Sequence, residues 1–548
     1  MTAPLCFAIP LFLLAAVGVA LADESPSLVR DGDRVVFVGD SITGQGMNVP
    51  GGFINLFKAG LDAARPDSNV TVVPLGGSGQ TVGSWQNVEK QSREKETFLD
   101  VKNVDVREAL GRHADVLIVM LGMNDTLSPS LDASPASLDA WAGRYRGLLA
   151  SLRSRTTPRV TALATITPNT EDPQSPKTLA IAEMNRRVAA IATEQDCVLL
   201  PTSDTIWETL RAGRRCKPDF HVATDFVHPN GVGHASIAAA MLRGLGETKA
   251  AEEISTQHIQ KAFDAARGEL PCLSYMIVPR ELPLESGEAT FEIRAFYTPV
   301  AAGGTPRFSL EAPTGWQVKP AEPQGNEAVF TVTGKPDRLE NVFTLTATAG
   351  DTKKETTIKI PAPWLVGTGF TNPAAWERGA QDYVPDKGVL PGEDRFAAGK
   401  DFGSAPADWK GPAPKWSRYL ASVDHTGGPT PGNLSLYAVS FANTFEACYG
   451  ARWIHCDHDT PVELRFGSQV FAGQQGVVAW VNSEKVYAGS ITNEPGRKAV
   501  RKAVLQPGWN SLVFKANHCQ WQWQFSCDIL CDNPDDVAAL RISTVPRP

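Results

Sequence analysis

Between Asp31 and Gly246 the chain alternates short, continuously apolar runs with longer amphipathic stretches. The runs Arg34–Val38, Val70–Pro74, Asp115–Leu121, Arg159–Ile166 and Cys197–Pro201 are rich in Val, Ile and Leu. Strands buried on both faces read this way, because neither side needs a polar residue for water. Helical periodicity lies between them: Ile181, Met184, Val188 and Ile191 line up as one apolar stripe. Strand–helix alternation predicts a parallel sheet with helices on both faces. Ligands of such sheets sit beyond the carboxyl ends of the strands.

After about residue 265 the period changes to two. Phe291, Ile293 and Ala295 share one face of a strand, as do Phe343, Leu345 and Ala347, and Gly350-Asp351 offers a hairpin turn before Thr357–Ile360. Leu270 to Pro363 therefore reads as a small Ig-like β-sandwich. From Trp364 onward a Gly- and Pro-rich stretch, residues 365–435, precedes further strands at Val462–Phe466, Gly476–Val481, Ser511–Lys515 and Trp521–Ser526. Nine of the 13 tryptophans fall in this last region, which marks it as a separate β-rich domain.

The 548 residues carry 52 Lys+Arg against 60 Asp+Glu, a net charge of −8. Without a basic excess, nucleic acid is not an expected partner. Leu5 to Ala22 is apolar and ends in Ala20-Leu21-Ala22, the pattern of a secretory signal cleaved after Ala22. Met1 to Pro4 lacks the usual Lys or Arg, and an uncleaved membrane anchor is the alternative. Cleavage implies a secreted or periplasmic protein with no membrane contact afterwards. The expected divisions are a signal peptide at 1–22, an α/β domain at 23–262, the sandwich at 263–363 and the β-rich domain at 364–548.

The remaining cysteines are Cys197, Cys216, Cys272, Cys448, Cys456, Cys519, Cys527 and Cys531. An even number in an exported chain suggests disulfides of unassigned connectivity, with Cys197 and Cys216 a candidate pair in the first domain. Cys448 and Cys456 flank Trp453-Ile454-His455, and Cys456-Asp457-His458-Asp459 could be read as metal ligands, but a disulfide beside surface histidines is the simpler reading. No metal or organic cofactor is expected.

Four short motifs fall at the ends of the expected strands. They are Gly39-Asp40-Ser41, Gly76-Gly77-Ser78-Gly79, Gly122-Met123-Asn124-Asp125 and, after the fifth strand, Asp225-Phe226-Val227-His228. A serine hydroxyl becomes a nucleophile when a base takes its proton. His228 is the candidate base, and Asp225, three residues earlier, can orient its ring. Taken singly, each motif is more simply a helix cap or a turn. Together, in order and at strand ends, they point to catalysis.

This set resembles the SGNH or GDSL hydrolase family over roughly residues 31–246. The resemblance implies a flavodoxin-like α/β fold with a five-stranded parallel sheet and serine ester hydrolysis without a cofactor. It implies catalytic Ser41, Asp225 and His228, and an oxyanion hole from the Ser41 and Gly79 backbone N–H groups and the Asn124 amide. One position departs from the family: Pro74 stands where an Asn often supports the Gly79 turn. Asp40 and Asp125 read as supports of their loops, Trp85 and Phe226 as core or pocket lining, and His113, His221, His234 and His258 as structural. Residues 364–548 are similar to galactose-binding-like jelly-roll modules of secreted enzymes, with Trp480 and Trp509 in the core. Trp376, Trp409 and Trp416 are candidates for stacking on sugars.

The expected reaction is hydrolysis of O-acyl, above all O-acetyl, esters on a polysaccharide. A GDSL lipase, lysophospholipase or thioesterase is an alternative, and a non-catalytic carbohydrate-binding protein is one of another class. If the C-terminal module is a tether, residues 23–262 keep their activity on small esters without it.

Overall fold

The computed structural model describes residues 26–547, apart from 129, 279–280, 283, 285–286, 301–304, 378–381, 407, 421–433, 437–438, 442–444, 468–474, 492–497 and 520–522. The signal segment expected at 1–22 lies outside the described residues. Among these residues no helix is long and apolar enough to cross a membrane.

Five parallel strands form the first sheet: β1 (Arg34–Gly39), β2 (Thr71–Gly76), β3 (Val116–Met120), β4 (Val160–Ala164) and β5 (Val198–Leu200), in the order β2-β1-β3-β4-β5. Every residue of β3 and β4 is buried, as their unbroken apolar runs require. The helices that matter to the site are α1 (Ser41–Asn48), α2 (Phe53–Ala64), α3 (Val82–Gln91), α4 (Val106–Gly111), α5 (Pro135–Thr156), α6 (Pro176–Glu194), α7 (Thr202–Cys216) and α8 (Gly231–Gly244). The stripe of Ile181, Met184, Val188 and Ile191 is the buried face of α6. In register, Gly39 of β1 faces both Gly76 of β2 and Met120 of β3. The three strands therefore end level, and the loops that follow them emerge side by side.

The last helix of this part, Lys261–Arg267, runs beyond residue 262, and the next strand begins at Cys272. Eight strands follow: β6 (Cys272–Val278), β7 (Glu281–Leu282), β8 (Ala289–Thr298), β9 (Arg307–Glu311), β10 (Gln317–Pro320), β11 (Glu327–Gly334), β12 (Glu340–Ala349) and β13 (Thr352–Pro361). Antiparallel sheets β10-β11-β8-β6 and β13-β12-β9 enclose a core of Phe291, Ile293, Phe330, Phe343, Leu345 and Ile358. Beyond Trp364 come an antiparallel 8-stranded sheet, which β7 joins at its edge, and a 4-stranded one. Phe514 and Phe525 stack across them at 3.7 Å between ring centres. The architecture of this region is compatible with a jelly-roll.

The tryptophans expected to stack on sugars do something else. Trp376 and Trp416 are buried and Trp409 packs on Phe370 with ring centres 5.2 Å apart. A Cβ on Gly367 would lie 2.6 Å from the Trp416 ring, so strand and indole meet at a glycine. Trp480 is buried, as expected, and Trp509 packs partly against the same cluster.

The cysteine pairings are also corrected. All eight described cysteines are free thiols. Cys448 and Cys456 lie on one strand, Glu446–Cys456. Eight residues of extended chain separate them by roughly 26 Å, too far for a bond. Cys197 precedes β5, whereas Cys216 ends α7, where its carbonyl accepts from Cys272 Sγ at 3.1 Å. Among the described residues no group of three His, Cys, Asp or Glu is placed to hold a metal ion.

Candidate active site

Ser41 is the first residue of α1, directly after the turn that leaves β1. Asp40 caps this helix, its Oδ1 accepting the Ile42 N–H at 2.9 Å. The Ser41 hydroxyl thus stands at a helix N-terminus, where backbone N–H groups and the helix dipole favour developing negative charge.

His228 lies in the loop before α8, and its Nε2 is 2.9 Å from Ser41 Oγ. Its Nδ1 is 2.8 Å from Asp225 Oδ2. A carboxylate only accepts, so Nδ1 carries the proton and Nε2 is left to accept from the serine. The other Asp225 oxygen accepts the Val227 and His228 N–H groups, each at 2.7 Å. Burial alone would raise the Asp225 carboxyl, but these bonds from His228 and Val227 hold it below the ordinary carboxylate range. Burial likewise opposes the charged His228 ring, yet the Asp225 bond and charge, with Asp40 behind them, raise it above the usual imidazole value.

The loop is held at its base. Thr224 N–H donates to the His228 carbonyl at 2.8 Å, and Thr170 N–H to the Phe226 carbonyl at 2.7 Å. Glu171, almost fully buried, accepts from Val222 N–H and pairs with His221 Nδ1 and Arg214, all at 2.7 Å. His221 therefore has a carboxylate partner 50 residues away, which no local pattern announces. It lies outside the serine's chain of bonds and anchors the loop that carries it.

The other two motifs flank the serine. Gly79 has φ of +70°, a conformation open mainly to glycine, with nothing near its absent Cβ. Its turn is supported without an Asn at position 74: Gln80 N–H reaches the Gly77 carbonyl at 3.2 Å, and Ser78 Oγ donates to Asp100 at 2.5 Å. Asn124 opens a short 3-10 turn, Asn124–Leu127, and one proton of its amide goes to the Gln80 carbonyl at 3.2 Å. That bond ties the Asn124 side chain to the Gly79 turn. Asp125 Oδ2 accepts Val82 N–H at 3.1 Å, so both acids support their loops as expected. Burial raises Asp40 to about 7 and Asp125 to about 6. Trp85 is core, its indole N–H donating to the Gly39 carbonyl at 2.7 Å, and Phe226 is also buried.

Lys177 escaped the sequence reading. It is fully buried near the start of α6, and its Nζ donates to the Thr126 carbonyl at 2.8 Å, inside the turn that begins at Asn124. Phe441, from the C-terminal region, lies 4.8 Å from the same Nζ. Burial lowers this amine to about 7, opposed by the Glu446 carboxylate. A sign was available: a cation in the first turn of a helix opposes the helix dipole, so Lys177 directly after Ser175-Pro176 needs a local partner.

The site combines a nucleophile, an oriented base and candidate oxyanion donors at the carboxyl ends of a parallel sheet. This is the equipment of acyl transfer. Residues 37–235 match the GDSL-like Lipase/Acylhydrolase family, and this part of the chain is an SGNH-type domain of carboxylic ester hydrolases. Among curated proteins, an acetylxylan esterase of Geobacillus stearothermophilus is 26% identical over 237 residues, covering 40% of this chain and 96% of its own. A crystal structure of an acetylxylan esterase from the same organism aligns at 24% identity, with a TM-score of 0.31, over 40% of this chain and 96% of its own. An alpha/beta hydrolase enzyme from the metagenome of Lake Arreo, Spain, aligns at 22% identity, with a TM-score of 0.32, over 41% and 99%.

Proposed function

We propose that this protein is an exported serine esterase that removes O-acetyl groups from a polysaccharide. The observation that carries the reading is the unbroken chain from Ser41 Oγ through His228 to Asp225, with contacts of 2.9 and 2.8 Å. His228 Nε2 takes the hydroxyl proton as Oγ attacks the acyl carbonyl. Negative charge then develops on the carbonyl oxygen, toward the N–H groups of Ser41 and Gly79 and the Asn124 amide. Collapse breaks the ester C–O bond, and the His228 proton goes to the departing sugar oxygen. Water, deprotonated by the same ring, attacks the acetyl-Ser41 ester and releases acetate.

Two considerations support acetylated carbohydrate as the substrate class. The parallel-sheet domain is similar to an acetylxylan esterase across nearly all of that protein's length. The apolar Leu5–Ala22 stretch with its Ala-x-Ala end is what an exported enzyme carries. The test is acetate release from acetylated xylan and other acetylated glycans by the wild type and Ser41→Ala, with nitrophenyl acetate and long-chain nitrophenyl esters alongside. Release from a glycan that vanishes in the variant is expected. A preference for long acyl chains over every glycan would favour the lipase reading instead.

A further inference from the structure

We propose that Lys177 is a positioning residue for the oxyanion hole and that the C-terminal β-region holds it in place through Glu446 and Phe441. This rests on the ester-hydrolase reading above and deepens it.

Asn124 can stabilise an oxyanion only while its amide is aimed, and the turn that carries it is held at three points. Asn124 itself donates to the Gln80 carbonyl at 3.2 Å, and Asp125 accepts the Val82 N–H at 3.1 Å. The third hold is the Lys177 ammonium on the Thr126 carbonyl at 2.8 Å. The first two tie the turn to the Gly79 loop. The third ties it to α6, on the side where the C-terminal region packs.

A lysine with no exposed surface is expensive unless charge and hydrogen bonds compensate its lost hydration. Here the compensation crosses a domain boundary. The Phe441 ring offers its face to the ammonium at 4.8 Å. Glu446, itself mostly buried, lies within electrostatic range, and Ser440 Oγ orients its carboxylate at 3.2 Å. Close by, Tyr419 donates its hydroxyl to Asp172 in the loop before α6 at 3.1 Å. A cation that served only the stability of α6 would have no need of the Thr126 carbonyl. One that served only the interface would not reach the Asn124 turn.

The test is a double-mutant cycle on the full-length chain with nitrophenyl acetate as the probe. Lys177→Met removes the ammonium at similar length. Glu446→Gln keeps the shape of its partner and removes the charge. Each is made alone and with Asn124→Ala, and thermal unfolding is recorded for all. A misaimed catalytic group can cost up to ~10²-fold, so Lys177→Met is expected to lower kcat by about 10- to 100-fold with KM little changed. Glu446→Gln is expected to act in the same direction but less. In the Asn124→Ala background both effects should shrink to less than about twofold, because the group they position is gone.

Equal losses in both backgrounds would overturn the proposal and make Lys177 purely structural. An unaltered kcat in Glu446→Gln would overturn the part assigned to the C-terminal region, and this isosteric variant carries the test if Lys177→Met does not fold. Ser41→Ala is the control. Full activity there removes the Ser41 mechanism on which this inference rests, whereas an inactive Ser41→Ala beside an unaffected Lys177→Met removes only this inference.

Discussion

The Tyr419 hydroxyl meets Asp172 Oδ2 at 3.1 Å, joining the C-terminal β-region to the loop that follows β4. Leu420, the next residue, is buried in the core of the small sandwich. The composition of the C-terminal region suggests a tethered module that could be removed without harm to the chemistry, and the packing changes that expectation. A chain ending before Trp364 would uncover Lys177, Asp172 and the edge of the sandwich core. Its kcat/KM on a small soluble ester should fall at least severalfold, together with its unfolding temperature. A truncated protein with wild-type values for both would restore the tether.

The pH profile follows from His228. The ring must be neutral to accept the serine proton, and Asp225 raises its pKa above the usual value of about 6.5. Activity should therefore be lost as pH falls through a midpoint above ~6.5, read from kcat/KM against pH. Asp225→Asn removes the group that raises the ring, so the midpoint should move down. It also frees the ring to take the wrong tautomer, and kcat should drop by up to ~10⁴. A midpoint that stays in place in Asp225→Asn would contradict the bond between the two residues.

Asp40 makes a separate statement about stability. It is almost fully buried, and burial raises it to about 7 in the folded protein. A group whose folded pKa lies above its unfolded value contributes stability fully below the unfolded pKa, and this is lost as pH rises through the folded one. The window runs from about 4 to about 7. Asp40→Asn keeps the cap on Ile42 N–H and cannot ionise. The variant should match the wild type near the acid end and be the more stable of the two above pH ~7. Unfolding temperatures compared across that range check the sign.

Gly79 tests the turn. An alanine there meets no neighbouring atom, so the cost is the left-handed backbone alone, about 1–2 kcal/mol. If the turn relaxes to escape that strain, its N–H turns away from the oxyanion position proposed for it. Gly79→Ala should lower stability by about that amount and reduce kcat more than it changes KM. Denaturant unfolding and steady-state kinetics on the same sample measure both.

The sheet was legible because continuous apolar runs leave little choice. All five expected strands form, although Asp115–Leu121 trims to Val116–Met120 and Cys197–Pro201 to Val198–Leu200. The Ser41, Asp225 and His228 cluster was legible because chemistry restricts residue type more tightly than packing does. The tryptophans misled for the opposite reason. A Gly- and Pro-rich stretch resembles an exposed loop, yet Gly367 lets Trp416 lie against a strand, and Phe370 takes Trp409. Lys177, Glu171 and Tyr419 act on partners far along the chain; the place of Lys177 in the first turn of its helix signals that a partner is needed, but no local pattern says which.

The most direct measurement is the site of covalent capture. A fluorophosphonate that mimics the acyl transition state should react with the wild type, and peptide mapping should place the adduct on Ser41. Ser41→Ala should take up no label and release no acetate, while His228→Ala should label far more slowly. An adduct on another residue, or undiminished ester hydrolysis by a folded Ser41→Ala protein, would contradict the account.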